Sequence, residues 1–138
     1  MQRVTPLLLI VFVLLLPSTA GARPLRIPET HDWLTAVRVV QTAYPGSSSW
    51  LVSCSSGEGG HGQWVPNTNG SGAGGWMQYM SGTFWSDYHA AVFDLRSRGY
   101  VVPSDTASWY SPLGQAIAAG WAYGHDRPGG KWTGAGCW

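Results

Sequence analysis

The chain has 138 residues, eight Lys/Arg against seven Asp/Glu, and charged side chains at only 11% of positions. That balance, with no cluster of basic residues, argues against a polyanion binder held by charge, nucleic acid included. The feature left to explain is nine tryptophans. Most should fill the core of a small domain, and two or three should line a ligand groove, where indole faces stack on sugar rings.

The first segment, MQRVTPLLLIVFVLLLPSTAGARP, has one arginine, an apolar run from Leu7 to Leu16, a breaking Pro17 and small residues ending at Ala22. This order predicts a secretory signal peptide over residues 1–22, cleaved after Ala22, and the apolar run is too short to span a bilayer. An uncleaved signal anchor is the alternative. Cleavage would leave 116 residues, one small domain, with no stable membrane anchor and seven acids against seven bases. Export favours oxidation, so Cys54 and Cys137 are expected to form a disulfide. Closing so long a loop stabilises by about 4 kcal/mol in the chain-entropy view. Two buried thiols are the other possibility.

Residues 23–46 read as an extended leader and a first helix. Trp33, Val37, Val40 and Tyr44 recur at helical spacing, with Thr30 as the expected cap and Pro45-Gly46 as the stop. SSSWLVSC is a short second helix, capped by one of Ser47 to Ser49, that delivers the chain to Cys54 and Glu58. From Gly57 to Gly75 glycine is too frequent for a regular element, apart from an extended piece over 63–65. GGWMQYM could begin as strand or helix. A clearer helix follows from about Thr83 to Arg98, with Gly99 as its stop. The last helix takes Ser111 as cap, Pro112 at its first position and Gly124 as its end, and its small residues predict a close helix contact. The class is mainly α, a small single domain with glycine-rich loops.

Several motifs mislead. Glycines 57/59/62 and 70/72/75 fit the dinucleotide fingerprint, yet neither set follows an apolar strand or opens a βαβ unit. Glu58 and His61, with His89 and His125 far off, do not make a metal site, because zinc ligands sit on fixed elements. No G-x-S-x-G anchors a serine triad, and a disulfide would silence both cysteines as nucleophiles. Asn69-Gly70-Ser71 is formally a glycan acceptor. No cofactor and no metal are expected.

Glu58, the glycine-rich loop, the block GAGGWMQYM followed by SGTFW, and a C-terminal GGKW with Cys137 together resemble the lysozyme-like transglycosylase domains of soluble lytic transglycosylases. The order looks closest to the resuscitation-promoting-factor branch and covers residues 47–138. The resemblance implies an α+β lysozyme-like fold and cleavage of the β-1,4 bond between N-acetylmuramic acid and N-acetylglucosamine in peptidoglycan. It also implies a Cys54–Cys137 disulfide and a single catalytic Glu at a helix end. The family pattern reads Cys-Glu-Ser-Gly, whereas this chain reads Cys54-Ser55-Ser56-Gly57-Glu58. Aligned on the cysteine, the acid's place falls to Ser55 and the enzyme is dead. Glu58 precedes Gln78 by twenty residues and Ser55 by twenty-three, and the shorter separation is nearer the family's. Glu58 is therefore expected to be the catalytic acid.

An acid that protonates a leaving oxygen near neutral pH needs an apolar wall to disfavour its anion, and Trp50, Trp64, Trp76 and Tyr79 are available. No second carboxylate accompanies it; Asp87 and Asp94 are expected on a solvated helix face. The resemblance supplies an alternative in the substrate's own N-acetyl group and 6-hydroxyl. Gln78 is carried over as a substrate hydrogen-bonding residue. Trp76 and Tyr79 are expected in the groove, Trp85 in core or groove, and Thr83 as a helix cap or a sugar contact. The expected protein is a secreted monomer whose partner is the peptidoglycan glycan strand. The rivals are a catalytically degenerate glycan-binding module on the same fold and a secreted Trp-rich structural protein.

Overall fold

The computed structural model describes residues 21–57 and 63–125; the expected signal peptide, apart from residues 21–22, and the C-terminal tail from residue 126 lie outside the described residues. Within these residues the chain is mainly helical. The order is β1 (Leu25–Arg26), α1 (Trp33–Ala43), α2 (Ser47–Gly57), α3 (Ser81–Ser97), β2 (Tyr100–Val101), a short 3-10 turn (Ser104–Thr106) and α4 (Pro112–His125). The leader is extended as expected and pairs in parallel with β2, Leu25 opposite Tyr100 and Arg26 opposite Val101. No helix among the described residues is long and apolar enough to cross a membrane.

Helix α1 buries Trp33, Ala36, Val37, Val40 and Ala43, the stripe that three- and four-residue spacing places on one face. Its cap is Asp32 instead of Thr30: Asp32 Oδ2 accepts from Thr35 N at 2.8 Å, and Thr30 Oγ1 accepts from Asp32 N at 3.2 Å. Thr30 thus shapes the approach, while Asp32 satisfies an orphan helix donor. The bonds to Thr35 hold the Asp32 carboxyl below the usual aspartate range. A depressed folded-state value means that this contribution is present above the ordinary aspartate pKa and is lost as pH falls through the folded value. Asp32→Ala is expected to lower the thermal midpoint at neutral pH, with the difference from wild type shrinking as pH falls through the lowered folded-state value.

Helix α4 is the centre of the molecule, buried continuously from Pro112 to Gly120 and touching the other three helices. Ser111 caps it as the sequence suggests, with its Oγ accepting from Gly114 N at 3.0 Å. The helix runs through Gly124 to His125 instead of ending at the glycine. Gly120 is where α1 approaches. A β-carbon there would lie 2.5 Å from Val40 Cγ1 and 3.1 Å from the Tyr44 ring, so only glycine allows the contact.

The far end of α1 is tied to α3. Arg98 donates to Ala43 O and to Asp94 Oδ2, each at 2.8 Å, and its guanidinium lies over the rings of Tyr44 and Tyr100. Tyr44 donates its hydroxyl to Asp94 Oδ2 at 3.0 Å, and burial, then Asp94, pushes that phenol above the usual tyrosine range. Residues 23–46 are therefore part of the fold that residues 47–125 build. Helix α3 starts at Ser81 with Met80 in the cap position, so Thr83 is its third residue and not its cap. Asp94 is only half-buried, but Asp87 is 2% exposed, where a solvated face was expected. Asp87 stands three residues after Phe84 and four before Ala91, on the stripe that faces the core.

Candidate functional site

Helix α2 does not stop near Cys54; it continues to Gly57. Glu58, the expected acid, is the next residue and lies outside the described residues, as do His61 and Cys137. Cys54 is fully buried on α2, and the described residues hold no free cysteine.

Ser55, the position that alignment on the cysteine makes the acid's, is 3% exposed. Its Oγ accepts from Trp33 Nε1 at 3.0 Å and donates to Val52 O at 3.0 Å. Both of its hydrogen-bonding roles are filled inside the fold. Ser55→Ala would leave the Trp33 indole N–H buried without an acceptor, a loss of about 1–3 kcal/mol. The expected result is a lower unfolding midpoint; an unchanged midpoint would mean that the hydroxyl is idle.

Trp76 and Tyr79, expected in a groove, are core residues at 6% and 2% exposure. Trp76 stacks flat on Trp33, ring centroids 5.7 Å apart and planes 9° apart. Tyr79 packs edge-on against Phe84 and donates its hydroxyl to Asp87 Oδ2 at 3.3 Å. Both rings serve to bind the 74–79 segment to the helices. Trp85 is half-buried against the core and stacks on His89.

The segment itself is a turn built on irregular pairing. Isolated bridges join Pro66 to Gly74 and Gly74 to Tyr79, so the extended piece near residue 65 exists without forming a strand. Gln78 lies in the turn with φ 47°, a left-handed conformation unusual for a side-chain-bearing residue. Its Nε2 donates to Val65 O at 3.0 Å and to Gly75 O at 2.9 Å. The amide nitrogen expected to meet substrate therefore closes the turn across residues 65 to 78. Thr83 is half-buried in the first turn of α3.

The residue that fixes this turn from below was not apparent in the sequence. Gln115, fully buried on α4, accepts from Met77 N at 3.2 Å through Oε1, and its Nε2 donates to Trp109 O at 2.8 Å and Gly74 O at 3.4 Å. One amide thus ties α4 to both the 74–77 turn and the loop before α4. Its only signal in the sequence is a lone polar residue in the apolar run PLGQAIAAG.

Above Gln115, three rings meet. Trp64 lies 5.0 Å from Tyr110 and 5.8 Å from Trp109, which is 5.7 Å from Tyr110, with planes crossing at 43°, 85° and 50°. Trp64 and Trp109 are half-buried, whereas Tyr110 is 64% exposed. Trp64 and Trp109 both crowd Gly74, where a β-carbon would sit 2.8 Å and 3.1 Å from their Cζ2 atoms. Among the described residues their indole N–H groups are buried without acceptors, as is that of Trp76 in the core. Among the described residues no group of three His, Cys, Asp or Glu side chains could hold a metal. No protein-family model, curated protein or solved structure matches this chain.

Proposed function

We propose that the chain is an exported, lysozyme-like enzyme that cleaves the β-1,4 bond between N-acetylmuramic acid and N-acetylglucosamine in peptidoglycan, with Glu58 as its acid. The observation that carries this reading is the continuation of α2 past Cys54 and Ser55 to Gly57, which brings helix up to the residue before Glu58. Ser55, the competing position, is engaged within the fold. Glu58 also stands close in sequence to Trp64, whose ring belongs to an apolar wall able to disfavour a carboxylate anion.

The chemistry needs only one protein carboxyl. Glu58 gives its proton to the glycosidic oxygen as the C1–O bond breaks, and the carbonyl oxygen of the substrate's N-acetyl group bonds to C1. The substrate's 6-hydroxyl or a water then attacks C1, displaces the acetamido oxygen and returns a proton to the carboxylate. Attack by the 6-hydroxyl leaves a 1,6-anhydro sugar; attack by water leaves a reducing end. Asp87 and Asp94 are engaged by Tyr79 and by Arg98 with Tyr44, which favours a one-acid scheme over the paired-carboxylate one. A disulfide from Cys54 to Cys137 belongs to the proposal.

The test is release of soluble fragments from purified peptidoglycan by the oxidised protein. Turnover supports the enzyme; binding without release supports a degenerate module on the same fold, and neither supports a structural protein.

A further inference from the structure

The Trp64–Trp109–Tyr110 corner has no structural need for its outermost ring. Tyr110 contributes little to the core at 64% exposure, yet it is held in place. Its backbone N–H donates to Ser108 Oγ at 3.2 Å, its ring touches both indoles, and Gln115 anchors the preceding residue's carbonyl from within. Further back in the same loop, Thr106 donates to Pro103 O at 2.6 Å and shares a 2.7 Å hydrogen bond with the Tyr88 hydroxyl. An exposed aromatic ring on a pinned loop is a preorganised contact surface.

The chemistry of the surroundings selects the ligand. Residues 63–79 and 106–115, which carry the three rings, contain no Asp, Glu, Lys, Arg or His. Their polar groups are amides and hydroxyls, among them Gln63, Asn67 and Ser108. Aromatic rings on stretches that carry amides and hydroxyls but no charge match a pyranose, which presents C–H bonds on its faces and hydroxyls around its rim.

We infer that the Trp64–Trp109–Tyr110 corner is a saccharide-binding subsite for an N-acetylhexosamine ring, with the exposed face of Tyr110 as its stacking platform. The inference deepens the proposed glycan-cleaving function and rests on it for the identity of the sugar. Tyr110 binds by its ring, so the hydroxyl is dispensable and the aromatic face is not.

The test is titration of the purified protein with the N-acetylglucosamine hexamer, followed by calorimetry. Tyr110→Ala should weaken binding about tenfold, the effect of removing one aromatic anchor. Tyr110→Phe should bind as wild type. Phe93→Ala, which removes a ring that is 78% exposed on α3, should also leave affinity unchanged and controls for nonspecific aromatic contact. Because Tyr110 is exposed, its removal should leave the unfolding midpoint within about 2 °C of wild type. The subsite is overturned if wild type does not bind the hexamer, if Tyr110→Ala binds equally well, or if Phe93→Ala loses as much. A weakened Tyr110→Ala alongside full cleavage by Glu58→Gln would support the subsite while removing the assigned acid, so the two claims fail separately.

Discussion

Gly75→Ala is expected to lower the stability of the protein by about 3–4 kcal/mol, from the αL and hydrogen-bond costs together. Two causes act at one atom. Gly75 has φ 86°, where an alanine costs about 1–2 kcal/mol. Its added carbon would also overlap the Gln115 side-chain amide. A free glutamine could swing away cheaply, but this one is fully buried and bonded to Met77, Trp109 and Gly74. Displacing it leaves buried backbone groups unpaired, at about 1–3 kcal/mol. The thermal midpoint should fall by roughly 10–20 °C for a domain of this size. Because the penalties share the Gln115 amide, a double-mutant cycle with Gln115→Ala should be non-additive, with Gly75→Ala costing only its backbone part in that background. Additive losses, or a midpoint within a few degrees of wild type, would show that the amide does not hold the turn.

Glu58→Gln is expected to slow peptidoglycan cleavage about 10²–10⁴-fold while leaving glycan affinity within roughly a factor of three. The amide has almost the shape of the acid and keeps its hydrogen-bonding reach, but it has no proton to give to a leaving oxygen. Loss of turnover with retained binding is therefore specific to acid catalysis. Ser55→Ala should behave oppositely, lowering stability while the folded fraction keeps its activity, because that hydroxyl supports Trp33. If both variants cleave as wild type does, the proton comes from another group.

Much of the helical frame is legible in the residues. The α1 stripe, the Ser111 cap, proline at the start of α4 and the small residues facing α1 follow from local spacing and capping chemistry, and the structure has them. The α1 cap was expected at Thr30 and falls instead to Asp32, the residue with extended backbone beside the first turn. The 74–79 block was ambiguous because it has no period: it is a turn held by long-range bonds, and a left-handed Gln78 has no local signature. Trp76 and Tyr79 pointed to a groove because aromatic rings beside glycines suit one equally well. Their burial depends on Trp33 and Asp87, both remote in sequence. Asp87 was readable from spacing alone, since it shares the stripe of Phe84 and Ala91, and its charge argued against what its position implied. Trp109, Tyr110 and Gln115 become a unit only when α4 meets the 74–77 turn.

The central claim is that the carboxyl of Glu58 cuts glycan. The most direct test is mass analysis of the soluble products released from peptidoglycan by the oxidised wild-type protein and by Glu58→Gln, side by side. The account predicts disaccharide-based fragments from wild type, in their 1,6-anhydro or reducing form, and essentially none from the variant. Equal release by both proteins, or none from either while both bind the glycan, would contradict it.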